Sequence, residues 1–252
     1  MNDLFEPTNG AIFVLLFGAL VLVVLTILYR RKKTQTQVRE LVGLKQLEDE
    51  IGRAAESGRP IHVALGNGAL SSGDTVTSLA GLQVLEGLVD ATVAYNAPPV
   101  VTVGDPTLVP LAQDALRRAY ERRQALELYD SSQVRFVAPS PLAYAAGANP
   151  VGAVEDTIAT IVAGAYGFEV SLITDSSARR DVRQWAAADS AGAIGALYPA
   201  TEHLAVGEEL YAIGAQVTKK NKYVTSLVAE DILRLIVALA ILGVAVQAFA
   251  GR

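Results

Sequence analysis

Cysteine is absent from this 252-residue sequence, and histidine occurs only at His62 and His203. Disulfides, thiolate metal sites, iron–sulfur clusters and cysteine nucleophiles are therefore excluded, as is a metal centre built from several histidines. The nucleophile-elbow motif G-x-S-x-G and the zinc-protease motif H-E-x-x-H do not occur either. We therefore predict no catalytic residues, no metal and no cofactor, and an enzymatic role is disfavoured.

Charged residues are scarce near the two ends of the chain, where the apolar residues concentrate. Residues 11–29 contain no charge, and as a helix they span about 30 Å, the thickness of the hydrocarbon core of a bilayer. A cleaved signal peptide would need a basic segment first, but residues 1–10 contain no lysine or arginine. Residues 232–250 form a second run whose apolar residues surround the helix, unlike those of an amphipathic core helix. Each run is predicted to be a transmembrane helix.

Basic residues beside these runs predict the orientation in the membrane. Four of them, residues 30–33, follow the first run, and none precedes it. Lys219, Lys220 and Lys222 precede the second run, whereas only Arg252 follows it. By the positive-inside rule the protein is predicted to lie in the cell membrane (the inner membrane where there are two) with both termini outside the cytoplasm. Residues 34–231 are predicted to lie in the cytoplasm. Membrane lipid is thus an expected partner, since the basic flanks can contact anionic headgroups.

The domain boundaries follow from these runs. Outward tails are predicted at 1–10 and 251–252, a basic flank with a connecting amphipathic helix at 30–59, and a cytoplasmic α/β domain at 60–231. Residues 34–231 hold 15 basic and 24 acidic residues, a formal charge of −9. Nucleic acid is therefore not an expected partner.

Short β-prone runs alternate with helical stretches through the cytoplasmic segment. The predicted strands are Ile61–Gly66, Val100–Gly104, Val134–Ala138, Val170–Thr174 and Ala193–Tyr198. The predicted helices are Thr34–Ser57 (with Gly58 as a left-handed cap), Thr75–Ala91, Leu108–Leu128, Val151–Ala165, Ala178–Ala188 and Glu202–Val217. Continuous apolar strands separated by helices are typical of a parallel sheet covered on both faces. We predict an α/β, three-layer, Rossmann-like fold with a mostly parallel sheet, flanked by an N-terminal and a C-terminal transmembrane helix.

Two loops after predicted strands are candidates for binding a small anionic ligand. In the first, Gly66 and Gly68 let backbone amides approach a phosphate, and Ser71 and Ser72 can donate hydrogen bonds. The loop is neither a dinucleotide fingerprint, because Ser71 replaces the third glycine, nor a P-loop, because no Lys-Ser/Thr follows. Asp105, after the second strand, stands where dinucleotide-binding folds carry their ribose-binding carboxylate. A plain turn and a helix cap are the structural alternatives for these two loops.

The remaining polar groups have simpler explanations. His62 lies among apolar residues of a strand and is predicted to be a core histidine rather than a base. Arg117, Arg118, Arg122 and Arg123 are predicted to form a solvated helix face, because Asp114 and Arg118 make a favourable four-residue pair.

Several motifs occur in the same order in a known family. They are Gly207-Glu208-Glu209-Leu210-Tyr211-Ala212 with Ser226-Leu227 and Glu230-Asp231, Ile51-Gly52-Arg53-Ala54 with Gly58-Arg59-Pro60, and Val134-Arg135-Phe136 with Ala143-Tyr144-Ala145-Ala146. Over about residues 40–232 the chain resembles an uncharacterised family of bacterial two-span membrane proteins, notably from Chloroflexota, described as a domain of unknown function. The resemblance implies a membrane-tethered domain and supplies no reaction, substrate or catalytic residue.

Two functions from different classes fit these observations. The first is a scaffold or assembly subunit at the inner face of the membrane, which associates with copies of itself or with other membrane proteins. Small residues such as Gly164, Ala165, Gly207 and Gly214 would allow close helix packing there. The alternative is a sensor or enzyme that binds a small, nucleotide-like anion in the strand-end crevice.

Overall fold

The computed structural model describes residues 44–95, 97–218 and residue 237. The chain divides into two units, residues 39–219 and residues 1–38 with 220–252. Both predicted spans, 11–29 and 232–250, therefore lie outside the described residues, apart from residue 237. The unit of residues 39–219 is called the α/β domain.

The α/β domain alternates helices and strands along the chain. The strands are β1 (Ile61–Gly66), β2 (Val100–Val103), β3 (Val134–Phe136), β4 (Ala159–Ala165), β5 (Arg183–Ala188) and β6 (His203–Val206). The helices are α1 (Leu44–Ser57), α2 (Thr75–Ala94), α3 (Val109–Arg122), α4 (Pro141–Ala148), α5 (Val151–Val154), α6 (Val170–Arg179), α7 (Ala191–Leu197) and α8 (Glu208–Thr218). Two short 3₁₀ turns, Leu126–Leu128 and Ser131–Gln133, precede β3.

The six described strands form one parallel sheet in the order β3-β2-β1-β4-β5-β6. Val63 of the central strand β1 is paired with Val101 on one side and Ile161 on the other. This is the strand order of the doubly wound dinucleotide-binding folds, and the order reverses between β1 and β4. The predicted α/β class with a mostly parallel sheet is confirmed.

Each face of the sheet is covered by its own hydrophobic core. On one face, α1, α2, α3 and α8 pack on strand residues such as Leu65 and Ile161. On the other face, α4, α6 and α7 pack on Ala64 and Val162. Neighbouring strand residues alternate between the two cores, which is why the strands read as continuous apolar runs. The helices and the sheet thus form three layers.

α2 is the described helix whose length and composition could also suit a membrane. Its most apolar window is 61% buried inside the domain. It packs between α3 and α8 and against the sheet, so it is apolar around most of its circumference. Its apolar composition is therefore explained by burial in the core and is only weak evidence for a membrane span.

Predictions for the first half of the domain are confirmed. β1 has the predicted bounds, and β2 and β3 begin at the predicted residues. α2 and α3 lie where helices are predicted, but α2 continues to Ala94 and α3 ends at Arg122, before the predicted end at Leu128. Gly58 has φ +68° and ends α1, as expected for a left-handed cap. Residues 34–43 of the predicted first helix lie outside the described residues.

Two predictions between residues 150 and 175 are wrong. The predicted helix Val151–Ala165 is the short helix α5 followed by β4, because a fully buried strand has no period that distinguishes it from a helix. The predicted strand Val170–Thr174 is the first half of α6. Its buried residues Val170, Ile173, Thr174 and Ser177 have helical spacing, which the run of β-branched residues concealed.

The next three predictions also need correction. The predicted helix Ala178–Ala188 contains β5, which pairs with β4 and β6. Its three buried alanines favour a helix locally and so concealed the strand. The predicted strand Ala193–Tyr198 belongs to α7, which begins where Ser190 Oγ accepts a hydrogen bond from the Ala193 amide. The predicted helix Glu202–Val217 is β6 followed by α8.

Candidate functional site

The crossover between β1 and β4 is the point where a doubly wound sheet binds its ligand. In this domain the two strand ends touch through their backbones. Gly66 has φ +79°, and a Cβ on it would lie 2.2 Å from the carbonyl oxygen of Ala165. Gly164 has φ +147°, and a Cβ there would lie 2.1 Å from the carbonyl oxygen of Leu65. Both positions therefore require glycine for the protein's own packing.

The loop after β1 is closed by its own hydrogen bonds. A Cβ on Gly68 would lie 2.4 Å from Ser78 Oγ, so this glycine packs against α2. Ser72 Oγ donates to the Ala69 carbonyl at 2.9 Å and accepts from the Asp74 amide at 3.1 Å. Ser71 is exposed at the tip of the loop. The loop thus forms a hydrogen-bonded turn, as its structural alternative predicts. Anion binding by its glycines and serines stays a prediction.

Asp105 lies beside this loop. Its Oδ1 accepts hydrogen bonds from the backbone amide and the hydroxyl of Thr107. Thr107 Oγ1 in turn accepts a hydrogen bond from the Leu70 amide at 3.3 Å. The structure therefore connects the turn at Asp105 to the loop after β1, as the site prediction required. The carboxylate closes this turn and does not cap α3, the role that its structural alternative required, because the N-cap residue of α3 is Leu108.

A buried polar chain beneath the crossover was missed by sequence reasoning. His62 Nε2 lies 2.9 Å from Thr102 Oγ1, which lies 3.1 Å from the hydroxyl of Tyr144. The Tyr144 hydroxyl accepts from the Gly66 amide at 3.3 Å and lies 3.5 Å from that of Tyr166. His62 and Tyr144 each stand out in the sequence, but no local pattern indicates that they belong to one chain of hydrogen bonds.

Burial sets the protonation of this chain. It lowers the pKa of His62 from 6.5 to about 4, and the positive charge of Arg135 adds to the effect. Burial likewise raises the pKa of Tyr144 and raises that of Tyr166 well above 10. The imidazole and both phenols are therefore neutral at pH 7, and they hold strands β1, β2 and β4 and helix α4 together. The prediction of His62 as a core histidine agrees with its 1% exposure.

A second polar cluster lies at the end of β5. Asp189 Oδ2 accepts hydrogen bonds from Thr77 Oγ1 at 2.5 Å and from the Tyr211 hydroxyl at 2.8 Å. These contacts join the first turns of α2 and α8 to the loop after β5. In residues 44–95 and 97–218 no group of three or more histidine, aspartate and glutamate side chains is placed to hold a metal ion.

Charge is distributed unevenly between the two ends of the strands. The carboxyl edge comprises the loops after the strands together with the first turns of the helices that follow. Among its described residues there is no lysine or arginine, and there are six carboxylates: Asp74, Asp105, Glu169, Asp189, Glu208 and Glu209. All described charged side chains of this edge are negative, so their field opposes an anionic ligand.

The ten described arginines lie elsewhere in the domain. Arg117 and Arg118 both pair with Asp114 of α3, and Arg122 pairs with Asp90. These paired and exposed guanidinium groups agree with the predicted solvated helix face.

α1 lies at the opposite, amino edge of the sheet, where the strands begin. Glu50 of α1 pairs at 2.7 Å with Arg183, the first residue of β5. Arg59, between α1 and β1, donates at 2.9 Å to the carbonyl of Asp156, just before β4. The first described segment of the chain therefore runs along the amino edge.

α8 ends at the same edge. It begins next to Asp189 at the carboxyl edge and runs beside α2, which leads to the start of β2. Its eleven residues cover about 16 Å, close to the length of a strand. The first described helix of the domain thus lies at the amino edge, and the last described helix ends there.

Two cavities also lie at the amino edge. The larger, of about 290 Å³, is lined by Pro98, Pro99, Gln133, Arg135 and Glu155 among others. The smaller, of about 20 Å³, lies between Glu50 of α1 and Trp185 of β5. Neither is lined by a residue of the predicted anion site.

Comparison with known proteins gives a family and no function. No curated protein and no solved structure matches the chain. A family model matches residues 2–252, nearly the whole length. The predicted membership of an uncharacterised family is thereby confirmed in its coarse form. The chain belongs to the family described as a domain of unknown function, DUF6754.

Proposed function

We propose that this protein is a scaffold or assembly subunit, tethered by two membrane spans to the inner face of the cell membrane. The anchors are the apolar runs 11–29 and 232–250, and the α/β domain between them is cytoplasmic. Its partners are membrane lipid and further protein chains, either copies of itself or other membrane proteins. A bacterial, Chloroflexota-type origin completes the proposal and is carried by the motif resemblance alone.

The observation that carries this proposal is that the first described helix lies at the amino edge and the last described helix of the domain ends there. α1 leads there from the first apolar run, and α8 leads there toward the second. Tethering from one edge leaves the opposite edge of the domain available to partners. The acidic carboxyl edge fits this arrangement, because anionic headgroups repel carboxylates.

The interior of the domain supports a structural role as well. Gly164 and Ala165 are buried in β4 and are used by intramolecular contacts. The predicted close packing between chains must therefore use other surfaces. The polar chain at His62 and the Asp189 cluster join elements of the same domain, and the proposal assigns them no chemistry.

Native mass spectrometry of the full chain, gently extracted from its own membrane, tests the proposal. We expect a defined homo-oligomer or a complex with another protein of reproducible stoichiometry. A strictly monomeric chain without a co-purifying partner contradicts the scaffold role.

The topology has a separate test that uses the absence of cysteine. A single cysteine introduced as Ser71→Cys should resist a membrane-impermeant maleimide in intact cells and react after permeabilisation. Asn9→Cys, in the predicted outward tail, is the matched control and should react in intact cells. Labelling of Ser71→Cys from outside overturns the proposed orientation.

A second candidate, a sensor or enzyme for a nucleotide-like anion, is favoured by one observation. The strand order reverses where the Gly66–Asp74 loop leads into α2, whose N-cap residue Asp74 makes no side-chain capping bond. The six carboxylates of the carboxyl edge oppose it. Thermal melting with nucleotides tests this second candidate, because a bound ligand stabilises the folded chain by RT ln(1 + [L]/Kd). A rise in Tm that Gly68→Val abolishes, while Gly73→Val retains it, supports this candidate over the scaffold alone.

A further inference from the structure

The carboxyl edge combines its acidic charge with exposed apolar side chains. Phe168, in the loop after β4, is 75% exposed, Val76 in the first turn of α2 is 63% exposed, and Val206 at the end of β6 is 44% exposed. Single exposed apolar residues are ordinary, but these three lie on neighbouring segments. We call them the apolar triplet.

Contacts within the domain bring these segments together. Thr77, next to Val76, donates a hydrogen bond to Asp189, and Tyr211 of α8 does the same. The ring of Phe168 packs against Gly192, just after Asp189, since a Cβ on that glycine would lie 3.4 Å from the ring. The start of α2 and the start of α8 thus meet at Asp189 in the loop after β5, and Phe168 lies beside the helix that follows this loop. All three apolar side chains therefore belong to this part of the carboxyl edge.

The charges around the triplet have one sign. Asp74, Glu208 and Glu209 are exposed on this surface, Glu169 and Asp189 are half-buried, and no described lysine or arginine lies among them. Opposite charge across an interface accelerates encounter and disfavours wrong partners. A second copy docked edge to edge through a two-fold axis would place carboxylates against carboxylates, so this surface does not pair with itself.

We infer that this surface is a docking site for a basic, amphipathic segment of another protein. Its apolar side chains cover Phe168, Val76 and Val206, and its lysines or arginines face the surrounding carboxylates. The inference rests on the proposed scaffold role, because it names the chemistry of the partner that the scaffold holds. It places that partner on the side of the domain opposite to the amino edge.

Binding of a defined peptide to the full chain in phosphatidylcholine nanodiscs tests this inference. The probe is a peptide of about four helical turns, made of lysine, alanine and leucine with its leucines on one helical face, and empty nanodiscs provide the blank. We expect saturable binding that weakens as salt rises. A peptide with glutamate in place of lysine should not bind. Absence of saturable binding by the lysine peptide overturns the inference.

Matched variants identify the surface. Phe168→Ala should raise the Kd at least tenfold, whereas Tyr198→Ala, which removes a 78% exposed ring before β6, should leave it unchanged. The pair Asp74→Asn and Glu208→Gln should raise the Kd severalfold and flatten its salt dependence. Asp49→Asn with Glu127→Gln removes two exposed carboxylates elsewhere and serves as the charge control. All these side chains are at the surface, and thermal melting verifies that each variant folds.

Either of two results contradicts the docking site. One is an equal affinity of Phe168→Ala and Tyr198→Ala, and the other is binding of the glutamate peptide as tightly as the lysine peptide. If Phe168→Ala still forms native complexes and the surface variants bind the lysine peptide as tightly as the wild type, only the docking site is wrong. If the wild-type chain is monomeric without a partner, the scaffold proposal itself is wrong.

Discussion

Gly66 carries the tightest backbone contact of the predicted anion loop. Its amide donates a hydrogen bond to the Tyr144 hydroxyl. Because glycine has no side chain, the carbonyl of Ala165 can approach its Cα closely. The same residue type would serve a phosphate, so a sequence cannot distinguish the two uses of a glycine. The structure does so by showing what occupies the space.

Gly66→Ala should therefore lower the free energy of unfolding by about 3 kcal/mol. A Cβ would overlap the Ala165 carbonyl, and the φ of +79° disfavours any L side chain. Urea unfolding of the full chain measures the change. Gly73→Ala is the control, since an added Cβ there meets nothing within 4 Å and costs little. Equal stability of the two variants contradicts the close approach.

His62 should make the stability of the domain depend on pH. Its pKa is about 4 in the folded chain and about 6.5 when unfolded, so between these values the unfolded state binds more protons. The contribution is fully present above pH 6.5 and is lost as pH falls toward 4, by about 3 kcal/mol in total. Unfolding midpoints measured every half pH unit test this.

His62→Gln is the companion variant for that series. It keeps a polar group near Thr102 but has no proton to gain, so the slope between pH 6.5 and 4 should flatten. Asp130 and Asp114 lose their hydrogen bonds at lower pH, because hydrogen bonds from Ser132 and from Arg117 and Arg118, respectively, hold the pKa of each carboxyl below its ordinary value. An unchanged slope in His62→Gln shows that another group titrates.

At the scale of elements, α1 is held to the sheet by one nearly buried acid. Glu50 is 6% exposed, and its carboxylate pairs with Arg53 at 3.2 Å and with Arg183 at 2.7 Å. Leu47 and Ile51 of the same helix belong to the hydrophobic core. α1 is the first described helix after the basic residues 30–33, so these contacts join the sheet to the N-terminal end of the described chain.

Glu50→Ala should cost about 1–2 kcal/mol and weaken the attachment of α1. The cost is modest, because both arginines are about half exposed and regain water. Hydrogen exchange should accelerate at the amides of α1 and stay unchanged in β1. Asp49→Ala, at an exposed position of the same helix, should have little effect. Equal exchange in the two variants means that the core residues alone hold α1.

Elements between residues 150 and 200 illustrate where local patterns mislead. β4 and β5 are rich in alanine, which favours helices in isolation, while α6 begins with β-branched residues. Their true states follow from position in the sheet, where β4 is covered on both faces and β5 lies between two strands. Tertiary contacts override propensities of a few tenths of a kcal/mol per residue.

For the whole molecule, the proposed tethering at the amino edge predicts which residues lie nearer to the bilayer. A fluorophore on Ser57→Cys, at the end of α1, should be quenched by brominated lipids more strongly than one on Ser71→Cys at the carboxyl edge. Both serines are exposed, so accessibility to label is matched. Equal quenching, or stronger quenching at residue 71, contradicts the proposed tethering.

The sequence by itself excluded cysteine chemistry and a metal centre built from several histidines. It also determined the two apolar runs, the parallel α/β class and the bounds of β1. These depend on composition and on local runs of residues. Only the tertiary structure decided the strand order, the state of residues 151–198 and the meeting of Thr77 with Asp189, which are 112 positions apart. The same holds for the chain from His62 to Tyr166 and for the acidic edge with its apolar triplet. Such features are contacts between segments that are distant in the sequence. No local pattern predicts them, because the strand order of the sheet determines which segments meet.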